Sequence, residues 1–164
     1  MKSIIRKLLF MITMPAVLFL LACPGERAGG GEDAAKALIF DSGGAYHIQG
    51  LGAWRALLTG DGVLSISHET AGDVVDYGDF TLTNDEAARL WDAVTALDIP
   101  SMSPEDRPGV PDEVRYTFIL EDGENTHDVS VWINDARDMP GMDEFLTLLS
   151  DLIETYTGEK PVLR

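Results

Sequence analysis

The sequence predicts a two-layer α+β domain, an antiparallel sheet of four to six strands with two helices packed on one face. Three observations lead there. Two stretches carry apolar residues at helical spacing, the other apolar segments alternate with a period of two, and the order is strands, helix, two strands, helix.

Leu38-Ile39-Phe40 reads as the first strand, and Asp41-Ser42-Gly43-Gly44 breaks or bends it. Residues 53–59 form the next, with Trp54, Ala56 and Leu58 on one face. Gly60-Asp61-Gly62 is a tight hairpin signal, and residues 63–69 return with Leu64 and Ile66 on the apolar side. After a turn at Thr70-Ala71-Gly72-Asp73, residues 74–82 form a strand loosened by Gly78.

Thr83-Asn84-Asp85-Glu86 matches a capping box, in which the Thr hydroxyl and the Glu carboxylate satisfy each other's free amides. The helix it opens has Ala87, Leu90, Trp91, Val94 and Leu97 on one stripe and ends near Ile99-Pro100. Pro100, Pro104, Pro108 and Pro111 then make a stiff, irregular connection.

Residues 114–120 alternate cleanly. Val114, Tyr116, Phe118 and Leu120 point one way, and Arg115, Thr117 and Ile119 the other. A turn at Glu121-Asp122-Gly123-Glu124-Asn125 leads to the returning strand over residues 128–133, whose apolar face is Val129, Val131 and Ile133. The last helix spans about residues 140–157, with Met142, Phe145, Leu146, Leu149, Ile153 and Tyr156 buried. Asp143 and Glu144 suit the positive end of its dipole, and Gly158 is a natural stop.

The N-terminus carries a separate message. Lys2, Arg6 and Lys7 precede an apolar run from Leu8 to Ala22 that ends in Leu20-Leu21-Ala22-Cys23. The run is shorter than the roughly 20 residues a membrane span needs, so it reads as a cleavable signal. The final tetrapeptide resembles the lipobox of bacterial lipoproteins, and Cys23 is the only cysteine in the chain. That resemblance implies cleavage after Ala22, a diacylglyceryl thioether on Cys23, and a chain held at a membrane by its lipid. Aspartate directly after the cysteine favours inner-membrane retention in well-studied Gram-negative bacteria. Here the residue is Pro24, which favours the outer membrane. The expected organisation is a signal peptide over 1–22, an acylated cysteine and Gly-rich tether over 23–36, and one acidic domain over 37–164.

Removing 1–22 takes away three basic residues and leaves nine Lys and Arg against 28 Asp and Glu, a formal charge of −19. Such a surface repels nucleic acid, which excludes that partner class. Solubility accounts for the acidity most simply; a cationic partner or loose calcium binding is the functional alternative, with no Asp-x-Asp-x-Asp-Gly loop and distal Glu to support an EF-hand.

No catalytic constellation emerges, and no cofactor is expected. His47, His68 and His127 are far apart without metal-ligand spacing. Ser42-Gly43-Gly44 lacks both the Gly-x-Ser-x-Gly frame of a hydrolase and the Gly-Lys-Ser/Thr ending of a phosphate loop. It reads as a bend.

Trp132 has the opposite parity to Val131, so it belongs on the sheet face away from the helices, with Ile119 and Thr117 of the neighbouring strand. Uncovered, these residues form a partner-contact patch; covered by the proline-rich connection or the N-terminal strands, they are structural.

One family resemblance spans about residues 38–156. Ser42-Gly43-Gly44 near the first strand, Leu82-Thr83 with Glu86-Ala87 opening a helix, Pro111-Asp112-Glu113-Val114-Arg115-Tyr116 entering a strand, and the Glu121-Asp122-Gly123 turn occur in that order. This order resembles the emfourin family, small bacterial inhibitors of thermolysin-like metalloproteases, and uncharacterised envelope lipoproteins of the same plan. The chain departs from the family in its hairpin over 53–69 and its lipid anchor, and no inhibitory residue carries over. The expectation is therefore a membrane-anchored, non-enzymatic binding module facing the periplasm or cell exterior and contacting another envelope molecule. A protease inhibitor is the alternative, and a hydrolase a remoter one.

Overall fold

A computed structural model describes residues 36–44, 52–103, 106–111 and 113–163. The strands are β1 (Lys36–Asp41), β2 (Ala53–Thr59), β3 (Val63–Thr70), β4 (Asp73–Thr81), β5 (Arg115–Asp122) and β6 (Asn125–Trp132). They form one antiparallel sheet in the order β4-β3-β2-β1-β5-β6. The helices are α1 (Asn84–Ala96), a short α2 (Ile133–Ala136) and α3 (Met142–Thr157). The expected fold class is the observed one: a six-stranded α+β sheet with two long helices packed on it.

Alternation along each strand builds the core in rows across the sheet. Leu120, Leu38, Leu58, Leu64 and Phe80 form one row, and Val129, Phe118, Phe40, Ala56 and Ile66 the next. Onto this face α1 lays Leu90, Ala93 and Val94, and α3 lays Met142, Phe145, Leu146, Leu149, Leu152 and Ile153. Phe145 seats the longer helix edge-on to Phe40, with ring centroids 5.4 Å apart, and within 5.8 Å of Phe118. The chain after α3 folds back, burying Leu163, whose carbonyl accepts from the Tyr116 hydroxyl.

The capping box forms as read. Thr83 N–H donates to Glu86 Oε2 at 2.8 Å, and Glu86 N–H to Thr83 Oγ1 at 3.3 Å. Several boundaries differ from expectation, and β5 and β6 run further into their connection than expected, leaving only Gly123-Glu124 between them in place of a turn over 121–125. Ile133 opens α2 and does not extend β6, because the chain turns away from the sheet directly after Trp132. Val114 precedes β5. In β4 Tyr77 is an extra residue between the Ile66–Gly78 and Ser67–Asp76 pairs, a bulge with Gly78 at φ 89°. Both long helices leave the opposite sheet face without a helical cover among the described residues.

Candidate functional site

The uncovered sheet face is the candidate site. Its centre is a row of β-branched and aliphatic side chains, Ile119, Ile39 and Leu57, paired side by side across β5, β1 and β2. Ile39, on a middle strand, is 36% exposed. The adjoining row is polar: Ser130, Thr117, Asp41, Arg55, Ser67 and Asp76. Thr117 and Ser130 bond through their hydroxyls at 2.9 Å. Towards β4 the face dips into a shallow groove of about 260 Å³ between Ile39, Leu57, Ser65, Ser67, Val74 and Asp76.

The charge on this face is unevenly compensated. Arg55 bridges Asp41 at 2.6 Å and Glu69 at 3.0 Å, which keeps its guanidinium within the sheet's own network. The Arg115 guanidinium lies over the Trp132 ring, 3.9 Å from its centroid. Asp76, Asp79 and Asp128 border the face as exposed carboxylates. The arrangement is an apolar strip in an acidic frame, suited to holding a partner that brings both apolar and positive groups.

Of the contact residues expected from sequence, Ile119 and Thr117 lie on this face. Trp132 shares its side of the sheet but sits apart, because the Thr117–Ser130 pair separates the Trp132–Arg115 and Ile119–Asp128 pairs. The proline-rich connection covers it. Trp132 Nε1 donates to the Arg107 carbonyl at 3.1 Å, and a Cβ on Gly109 would stand only 2.4 Å from the Trp132 ring. Of the two expectations for Trp132, the covered one describes this geometry.

Arg107 holds that cover down. Its guanidinium donates to Glu113 at 2.8 and 2.9 Å and to Asp135 at 2.8, 3.1 and 3.2 Å, joining the loop to the start of β5 and to α2. The Glu113 side chain is 1% accessible. Hydrogen bonds from Arg107, then from the Val110 and Asn134 amides, outweigh desolvation and bring its carboxyl down to about 2. The same two carboxylates push the Arg107 guanidinium further up. Sequence reading missed this clamp, and it also missed Ile39 and Leu57. Strand parity places those two on the far face, but only the register shows that they adjoin Ile119.

The other singled-out residues have structural places. Ser42 is buried, and its Oγ accepts from the Trp54 amide at 2.8 Å. Gly43, at φ 67°, passes so close to β5 that a Cβ would lie 2.3 Å from the Arg115 carbonyl. His68 stacks on Trp54 at 4.3 Å, and Tyr77 on the same indole at 5.7 Å. His127 is half-buried on β6, with β2, β1 and β5 between it and β3. Among the described residues no three His, Cys, Asp or Glu side chains are grouped to hold a metal ion. His47 and Cys23 lie outside the described residues. No helix among the described residues is long and apolar enough to cross a membrane. No protein-family model matches the chain, and no curated protein is significantly similar to it.

Proposed function

We propose that the chain is a lipid-anchored, non-enzymatic binding module of a bacterial cell envelope, and that the open face of its sheet is the contact surface. The observation that carries this reading is the Ile119–Ile39–Leu57 row, apolar side chains side by side on a sheet face that no described helix covers. A sheet that buries one face normally alternates to polar residues on the other, and this row departs from that rule at its centre. The Leu20-Leu21-Ala22-Cys23 sequence supports the anchor. Several buried acyl chains, at about 0.8 kcal/mol per methylene, hold a protein firmly at a bilayer without a spanning helix.

Paired variants test the two halves separately. Cys23→Ser should leave the chain unprocessed and unlabelled by radioactive fatty acid; unchanged labelling refutes the anchor. Ile39→Gln with Leu57→Gln, which sets no like charges opposite each other on paired strands, should abolish co-purification of the partner from crosslinked cells while leaving the chain folded, each substitution costing within the roughly 0.5–3 kcal/mol usual for a point change. Undiminished co-purification with a folded variant refutes the surface.

The inhibitor alternative needs a loop that can lie extended in a protease cleft. Val110 is the exposed apolar tip of the clamped loop. Its N–H donates to Glu113 Oε2 at 3.0 Å and its carbonyl accepts from the Glu113 amide at 3.1 Å, so its backbone is engaged internally. Titration against a thermolysin-like protease discriminates: no inhibition at micromolar excess removes this alternative.

A further inference from the structure

We propose that the free edge of the sheet, β4, docks an extended cationic polypeptide segment by strand addition, with Asp73-Val74-Val75-Asp76 as the pairing site. This rests on the binding-module reading and names the chemistry of the partner.

The two edges of the sheet differ. β6 is flanked by the turn after α1, where Ile99, Pro100 and Met102 line a cleft with residues 126–130. β4 pairs only with β3, and no strand among the described residues lies along its outer side. A nine-residue edge therefore offers its outward N–H and C=O groups as a template for another chain. The bulge at Tyr77 interrupts regular pairing, which confines a clean ladder to residues 73–76.

That short stretch carries the most exposed large apolar side chains of any strand among the described residues, Val74 at 59% and Val75 at 51%. As neighbours on a strand they point to opposite faces, so an added strand meets a β-branched side chain on each side. Val74 also lines the groove of the open face, together with Asp76. An added strand would thus extend the proposed contact surface.

Charge decides the occupant. Asp73 and Asp76 are exposed and flank the two valines, and β4 contains no Lys or Arg. The stretch reads the same in both directions. Antiparallel pairing with a second copy, valine on valine, sets Asp73 of each copy opposite Asp76 of the other. Like charges directly opposite are destabilising, and each copy brings its own large negative charge. A segment with the pattern basic-apolar-apolar-basic satisfies both the valines and the carboxylates.

The test uses the full chain in detergent micelles and the probe acetyl-Thr-Lys-Val-Val-Lys-Thr-amide, with the Glu-for-Lys peptide as control. At saturation, the outward-pointing amides among residues 73–76, every second one in an antiparallel ladder, should exchange about tenfold or more slowly as new ladder hydrogen bonds form, while those already turned to β3 change little. The Lys peptide should bind at least about tenfold tighter than the Glu peptide, and Asp73→Lys with Asp76→Lys should invert that preference. Val74→Ser with Val75→Ser should weaken binding without unfolding, since both side chains are exposed. Absence of binding at millimolar probe, protection elsewhere than 73–76, or an unaltered preference in the charge-swapped variant overturns the proposal. Protection of 73–76 by self-association alone overturns it in favour of a second copy. These outcomes are independent of the Ile39 and Leu57 variants, so the edge can fail while the open-face reading stands.

Discussion

Arg107 joins three segments through one guanidinium, and the covering of Trp132 follows from that. Glu113 and Asp135 hold it from two sides, while its carbonyl receives the indole N–H of Trp132. Glu113 is ionised far below its ordinary value of 4.5, down to about 2, chiefly because of Arg107. A carboxylate with a depressed folded value contributes stability above its unfolded value and loses that contribution as pH falls towards the folded one. The clamp is therefore expected to loosen between pH 4.5 and about 2. Arg107→Met should lower the melting temperature at neutral pH, flatten this acid limb, and raise quenching of tryptophan fluorescence by acrylamide. An unchanged acid limb would show that Glu113 is held by the Val110 and Asn134 amides alone. The Arg107 clamp itself was not legible in the sequence, although a cover over Trp132 from the proline-rich connection was one of the expected arrangements. The parity of Trp132 is a local property and was readable, but its cover depends on partners 6 and 28 residues from Arg107 along the chain. Composition marks such a loop only as stiff.

At the scale of elements, local signals and observed structure agree where one short motif carries the information. The Thr83–Glu86 box starts α1 where its sequence says, and the second hairpin follows from alternation and the Glu121-Asp122-Gly123 turn. Thr83→Ala should cost about 1 kcal/mol in chemical denaturation, the usual effect of losing an N-cap. It should also raise the Glu86 carboxyl, whose lowering comes first from the Thr83 hydroxyl and then from the Thr83 amide. Because Tyr156 of α3 donates to the same carboxylate at 3.0 Å, the loss should spread to the α1–α3 contact and be smaller in a Tyr156→Phe background. A full effect in that background would show that the cap and the tyrosine act independently. Elements are misread where tertiary geometry overrides a local pattern. Ile133 continues the apolar alternation of β6, yet the chain leaves the sheet there to form α2. Gly78 signalled a loosened strand, and the structure shows why: a bulge that brings Tyr77 beside Trp54.

For the whole molecule, two long helices on one sheet face leave the other as a surface, and the order β4-β3-β2-β1-β5-β6 puts Ile39 near its middle. That order was not legible, since short turns make the β2–β3, β3–β4 and β5–β6 hairpins readable but not the joining of β1 to β2 and β5. The proposed tether would hold this surface near a bilayer with its excess of carboxylates, which favours apolar contacts with basic neighbours over contact with anionic head groups. The most direct test of an anchored module with an open-face contact is site-specific photocrosslinking in intact cells, with the photoreactive residue at position 39, 57 or, as control, the exposed Glu144 of α3. Discrete products from 39 and 57, absent from 144 and lost on Cys23→Ser, are the predicted result. The same products from all three positions, or none from 39 and 57 in a lipidated and folded chain, would contradict it.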